Sequence, residues 1–553
     1  MLSALERRYE KLQFGSLFPH ILDENRMMES LESFWSLDGH NGCVNTLRWN
    51  KSGTLLASGS DDHRVIIWKD GKEHFNLETG HEGNVFAVEF MPQTSDRKLV
   101  TGAADEVVIL HDIETNTSKR WDMDGRVKRL CTVEHDPTLY WAAVEDTKGV
   151  YQFDTRLDNP EVVVQSTPER ELKNTKSVAI SEAKPHLIVV GFDETTVRLY
   201  DRRNFQEPIL SFAPLAVKCN SYHATHVAFN KTGTEFVVNH GGGGGVYVFS
   251  VDASKDPKTM ERFHAVLEQP KEAVISSSSL PYPELREVGS TAIREKHFAK
   301  AVDYYSELIS HNYSDRAFRS VCHSNRATAS LLRRRRGDTY SCIRDCVKAL
   351  EIHRGNSKAL FRLIKSFISL EHPNLAKKCI DKFKEWFPND MSIAKMEEDL
   401  EQIEVRENRR ELESIEGCAD YQSRFVGSIN HQTDIKEANF FGSRDQFIIS
   451  GSDCGNMFVW NRDTSKLVGI WKADNHILNI VQPHPYQFSL ATSGIDNEIL
   501  LWQPYLDRED DFPSRRVADP FEHMEKKAEG SDGRFPLYML HDLARDSPQC
   551  VQS

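Results

Sequence analysis

The sequence predicts a multidomain β + α protein: a seven-bladed β-propeller with an inserted α-helical repeat solenoid between blades 5 and 6. Three observations carry this. Units of about 40–43 residues recur five times over 36–250 and twice over 425–504, within the ~40–45 residues of a propeller blade. Between them, at 284–390, the apolar period changes from that of strands to that of helices. The chain has 553 residues, too many for one ordinary domain at roughly 100–200 residues each.

The first unit, GHNGCVNTLRWNKSGTLLASGSDDHRVIIWK at 39–69, opens on Gly-His. An alternating strand follows (Val44, Leu47, Trp49), then a Ser-Gly-Ser-Asp-Asp turn and a strand ending in Trp68. This resembles the WD40 repeat. Its chemistry is a chain of polar groups in which His40, Ser58, Asp62 and Trp68 tie three strands together. The second unit keeps the six-residue spacing from Asp105 to His111, with His in place of Trp. The third and fourth end VYQFDTR and VRLYDRR, and the fifth has glycines at 241–245 where the turn Asp is expected. The sixth has Cys454 at that place, which breaks its polar chain, and the seventh restores the spacing with Thr492, Asp496 and Trp502. Five units and two make seven, and one closed ring leaves only short protected edges. The strand FWSL at 34–37 is expected to complete the last blade.

The domain reading is an N-terminal helical segment at 1–33, blades 1–5 at 34–251, a Lys/Pro/Ser-rich linker at 252–283 and three helix pairs at 284–390. A charged connecting helix at 391–424, blades 6–7 at 425–505 and a flexible tail at 506–553 follow. The pairs, with small residues such as Gly289 and Ala292 before aromatics such as Phe298 and Tyr305, resemble tetratricopeptide repeats, which stack into a concave solenoid. The formal net charge is −14, but 281–390 carries 21 Lys+Arg against 13 Asp+Glu, a net of +8, leaving −22 elsewhere. A basic module on an acidic ring suggests two surfaces for two kinds of partner.

The order of the two repeat types, with RVKRL at 126–130, TDIKEANFFGS at 433–443 and ATSGID at 491–496, resembles the WD and tetratricopeptide repeats (adipose) protein family. The resemblance spans about 36–505. It implies a substrate receptor of cullin-4 RING ubiquitin ligases whose partners are the ligase's propeller adaptor and protein substrates. It also implies links to restraint of fat storage and to histones and histone deacetylases. A scaffold or corepressor acting without ubiquitination stands as the alternative. Receptors for the adaptor often carry an aromatic-Asp-x-Arg signature, found here as Phe153, Asp154, Arg156 and as Tyr200, Asp201, Arg203, with Phe and Tyr in place of Trp. Both Asp residues are read at the ends of third strands, with the Arg side chains side by side on neighbouring blades. A strand-end cap is the structural alternative. The two-carboxylate clamp of some tetratricopeptide domains, which holds acidic C-terminal peptides of chaperones, maps to Arg286, Ser290, Asn325, Lys358 and Arg362, with Ser290 in place of Asn. Ordinary repeat residues on a solvated inner face are the alternative there.

Enzyme readings fail. There is no Gly-x-Ser-x-Gly nucleophile motif, and the glycines at 241–245 lack the Lys-Ser/Thr of a phosphate loop. Cys342 and Cys346 have no partners at zinc spacing, so the reading includes no metal and no cofactor. No window has the ~18–20 apolar residues that span a bilayer, and MLSALERRYEKLQF is too charged for a signal peptide. The acidic total argues against direct nucleic-acid binding. Ten scattered cysteines fit a reducing compartment, and the chain is expected in cytoplasm and nucleus.

Overall fold

The computed structural model describes residues 24–145, 149–164, 173–214, 223–243, 245–275, 280–335, 337–370, 372–390, 392–401, 418–505 and 514–529. Among these, seven four-stranded sheets form. Each blade has strands a to d from the axis outward, as in blade 1: Val44–Trp49, Leu56–Ser60, Arg64–Lys69 and Lys72–Glu78. The inner strands of successive blades touch in cyclic order, and the innermost strands of blade 7 return to those of blade 1, so the sheets close into a ring around a channel. The inner strands are buried on both faces, which is why they read as near-continuous apolar runs, such as VFAVEF and LIVVGF.

Two strands are borrowed across long separations. Leu31–Asp38 pairs antiparallel with Glu498–Pro504, with Leu31 opposite Pro504 and Asp38 opposite Glu498. The closing strand thus begins at Leu31, inside the segment read as N-terminal, and only a short helix, α1 (Glu24–Glu29), precedes it among the described residues. In blade 5 the third strand, Gly245–Ser250, pairs with Ser423–Phe425, which follows the helical insertion. The insertion therefore interrupts blade 5 between its third and fourth strands, one strand earlier than the boundary between blades 5 and 6. The reason is that the third strand would otherwise present a bare edge, and the returning chain covers it.

The segment read as a linker contains a helix, α2 (Thr259–Glu268), which buries Phe263, Val266 and Leu267. Phe263 meets Phe367 at 5.1 Å between ring centroids, so apolar residues four apart give this segment a docking face that its polar composition conceals. Three helix pairs follow: α3 (Pro283–Arg294) with α4 (Phe298–Ser310), α5 (Arg316–Arg333) with α6 (Asp338–Ile352), and α7 (Ser357–Ser369) with α8 (Pro373–Trp386). At Gly289 a Cβ would stand 2.4 Å from the Tyr305 ring, so only glycine lets α3 approach α4 this closely. Of the connecting helix, α9 (Ala394–Glu401) is described and 402–417 lie outside the described residues.

Buried ion pairs fasten the insertion to the ring. Asp338, at the start of α6, accepts bonds from Arg333 and from Arg424 of blade 5, each 2.8 Å. Burial alone would raise its pKa, but the two guanidiniums hold it below the usual range. Tyr340 donates to Asp420 (3.0 Å), and Arg344 lies 4.0 Å over the Tyr421 ring. On α4, Asp303 accepts the Leu467 amide of blade 6 (2.9 Å).

The tail read as flexible is ordered over 514–529. The Lys472 amide donates to Arg515 (2.9 Å) and the Val517 amide to Ile470 (2.8 Å), covering the outer edge of blade 6. Helix α10 (Pro520–Glu529) then buries Met524 in the cluster holding Phe458 and Trp460, worth about 1.5–3 kcal/mol. Among the described residues no helix is long and apolar enough to cross a membrane.

Candidate functional site

Because the strands of a blade alternate in direction, all a–b and c–d loops emerge at one end of the ring. The Asp-x-Arg turns lie there, at the ends of the third strands of blades 3 and 4, Gly149–Asp154 and Val197–Asp201. Arg156 donates to Asp154 through Nε (2.8 Å) and Nη2 (2.6 Å), and its amide also donates to that carboxylate (3.0 Å). Arg203 repeats the pattern on Asp201 at 2.8, 2.5 and 3.0 Å. These bonds hold both carboxylates below their ordinary pKa. Each side chain stays about 70% exposed (69% and 71%), with its remaining N–H donors turned to solvent.

The two aromatics of the signature do not face that surface. Phe153 and Tyr200 are 1% and 0% exposed, and Phe153 stacks on Tyr140 at 4.7 Å. They are the penultimate residues of third strands and point into the core, so any contact they make with a partner is indirect. Leu157, next to Arg156, and Ile209, in the loop that follows Arg203, are exposed by 58% and 49% and were not among the expected site residues. Exposed aliphatics in two equivalent loops were a signal available in FDTRL and RNFQEPI. Lys119 and the Trp121 indole of blade 2 donate to Leu157 and Asp158 carbonyls (2.6 and 2.8 Å), fixing the blade 3 loop.

The polar chain of blade 1 is complete. His40 bonds Asp62 (3.0 Å) and Ser58 (2.7 Å), and the Trp68 indole donates to Ser58 (2.8 Å). Burial favours the neutral form of Asp62, but bonds from His40 and the Asn41 amide hold its pKa low. In blade 2 His111 takes the place of Trp at 2.9 Å from Thr101, and burial lowers its pKa to about 4. In blade 7 Trp502 donates to Thr492 (2.8 Å), whereas His476 swings outward to Asp496 (2.9 Å) with its side chain 45% exposed. Asp474, His476 and Asp496 offer three donor atoms within 4.8 Å of one another, the one group among the described residues with the makings of a cation site. Cys342 and Cys346 are buried with sulfurs 3.9 Å apart.

The clamp positions fall on the first helix of each pair. Ser290 donates back to the Arg286 carbonyl (2.8 Å), Asn325 to the Tyr305 hydroxyl (3.3 Å) and Arg362 to Ser324 (2.5 Å), while Lys358 is exposed.

The channel holds charges that the sequence reading did not single out. Arg48 bonds Glu89 (2.6 Å) and Gln482 (2.7 Å), and Arg129 pairs with Glu437 (2.7 Å). Lys128 and Lys176 both reach Asp434 (3.3 and 3.0 Å) and Glu145. Burial raises the pKa of Glu89 and lowers that of Arg129. The segments RVKRL and TDIKE are thus two halves of one ionic plug. Charged residues inside buried first strands (Arg48, Glu89, Lys128, Arg129, Lys176) were the available signal.

The family model "WD domain, G-beta repeat" matches residues 31–69. The mouse protein WD and tetratricopeptide repeats protein 1 is 32% identical over 98% of this chain and 92% of its own. The chain belongs to the WD and tetratricopeptide repeats protein family. This member of the family is also 28% identical, over 42% of its length, to the mouse protein named DDB1- and CUL4-associated factor 6, of which 29% is covered. Among solved structures, the β-propeller domain of Cps50 (Swd1) from Myceliophteria thermophila aligns with 85% of the chain, and 99% of that chain, at 13% identity and a TM-score of 0.46.

Proposed function

We propose that this protein is a non-catalytic substrate-recognition subunit of a cullin-4 RING ubiquitin ligase, binding the ligase's propeller adaptor through the Asp-x-Arg face of its own propeller. The observation that carries this is the pair of equivalent turns on adjacent blades, with outward guanidiniums at Arg156 and Arg203 and with Leu157 and Ile209 exposed in the same two loops. Exposed arginines in loops that also expose an aliphatic side chain match the composition of energetic centres at protein interfaces. The relative named for association with DDB1 and CUL4 supports the choice of partner. The Asp-x-Arg carboxylates hold each guanidinium in place, so little side-chain entropy is lost on docking. The insertion leaves blade 5 from the end of its third strand, at the same end of the ring. A substrate gripped by its basic helices is thereby held next to the ligase.

The test is co-precipitation of the adaptor with wild type and with Arg156→Ala/Arg203→Ala. Capture by wild type and loss in the double variant supports the reading. Absence from both ends the receptor reading, and capture by both ends the assignment of these two arginines.

A further inference from the structure

At the same end of the ring, the channel widens into a cavity of about 600 Å³. Its wall is made by the a–b loops of blades 7, 1, 2, 3 and 4. The rim carries three carboxylates, Asp96, Glu134 and Glu182, against one ammonium, Lys51. Tyr486 stands on the rim 68% exposed. Lys51 of blade 1 reaches across the mouth to Glu182 of blade 4, 2.8 Å away, with side chains 46% and 76% exposed. Burial opposes the Lys51 charge, but Glu182 and Glu134 raise its pKa. The chain's own lysine therefore shows what the mouth prefers: an ammonium between two carboxylates, in an exposed pair that a competitor can open for little free energy.

We propose that this mouth docks a lysine- or arginine-bearing segment of a protein partner, whose cationic side chain replaces Lys51 between Glu134 and Glu182 and lays its aliphatic stem on Tyr486. The sign of the rim excludes the nucleic-acid backbone. The exposed ring and the loops of five blades give a peptide more to hold than a free amine uses.

The test uses the full-length protein and fluorescein-labelled nonapeptides carrying three Lys/Arg or three Glu, read by fluorescence anisotropy. The basic peptide is expected to bind, weakening steeply between 0.05 and about 0.5 M salt as exposed charges are screened. Glu134→Gln/Glu182→Gln should weaken it at least tenfold with an unchanged melting temperature, and Lys51→Met should tighten it about threefold. Failure of the basic peptide to bind overturns the proposal. So does equal binding of the acidic peptide, unchanged affinity in the folded Gln variant, or displacement by spermidine at lower concentration than by unlabelled peptide. Adaptor capture with Arg156 and Arg203 changed is a separate measurement, so this proposal and the receptor reading fail independently.

Discussion

Blades 1 and 2 and blades 5 and 6 solve the same problem differently. In blades 1 and 2 the strands are tied within the blade, by His40–Asp62 and His40–Ser58–Trp68, and by the matching set around His81. In blades 5 and 6 the ties run between blades. His226 bonds the Ala438 carbonyl (2.9 Å), and Thr225 and Asn239 donate to that of Lys436 (2.9 and 3.2 Å). Blade 6 keeps one tie of its own: Asp453, one residue before the Cys454 that replaces the turn Asp, accepts from the His431 amide (2.7 Å) and forms an ion pair with Lys436 (2.9 Å). The repeat's polar signature is thus one way to satisfy buried strand ends. Where the insertion splits the ring, side chains from the neighbouring blade take over.

The comparison yields a graded series of effects. The largest belongs to the inter-blade plug: Glu437→Gln leaves Arg129 and Arg48 short of a buried partner and should cost about 3–5 kcal/mol in urea unfolding. Arg129→Met/Glu437→Met should recover much of it, and no recovery would mean the plug acts through something other than charge pairing. Next, Asp62→Ala removes the acceptor for His40 and the Asn41 amide and should cost about 1–3 kcal/mol, with faster amide exchange concentrated in blade 1. A loss spread evenly over the ring would erase the contrast between local and inter-blade ties.

A further effect, read as a slope and not as a loss at neutral pH, is a pH dependence in blade 7. Burial and the neighbouring Asp496 raise the Asp474 pKa to about 7 from 3.8. The folded state then binds a proton that the unfolded state releases, so this group's contribution is full below pH 4 and fades as pH rises to about 7. Asp474→Asn should flatten that part of the stability curve, and an unaltered slope would assign it to another group. The smallest stability change is expected for Arg156→Ala/Arg203→Ala, within about 0.5 kcal/mol by thermal melting, because both side chains are surface groups. A larger loss would turn the Asp-x-Arg turns into structural caps.

The repeats made most of this legible in advance. The Gly-His opening and the Asp62-to-Trp68 spacing announce a blade, and the helical period from Glu284 announces the insertion. What escaped lies where local pattern is thin. The fourth strand of blade 5 is the three-residue Ser423–Phe425, too short to show alternation, so the insertion point read one strand late. Residues 514–529 are polar on paper and gain order by lying on blade 6, on Glu32 of the closing strand and on the insertion, where Arg335 donates to the Met524 carbonyl (3.1 Å). Phe153 and Tyr200 belong to a motif associated with binding, yet their place one residue before the end of a third strand sends them into the core. The channel contacts join residues as far apart as Arg48 and Gln482, separated by 434 positions, a distance over which no periodicity speaks.

The closing strand also sets a timetable for the protein's birth. Ser36 meets Glu498 across 462 residues. At the ~5–20 residues per second of translation, Leu31–Asp38 waits roughly 25–90 s on the ribosome before its partner strand is made. Until then an apolar strand bearing Leu31, Trp35 and Leu37 has an unpaired edge, and blade 7 does not exist. The ring closes last at its first strand, so a truncation anywhere before residue 498 leaves Leu31–Asp38 without its partner strand.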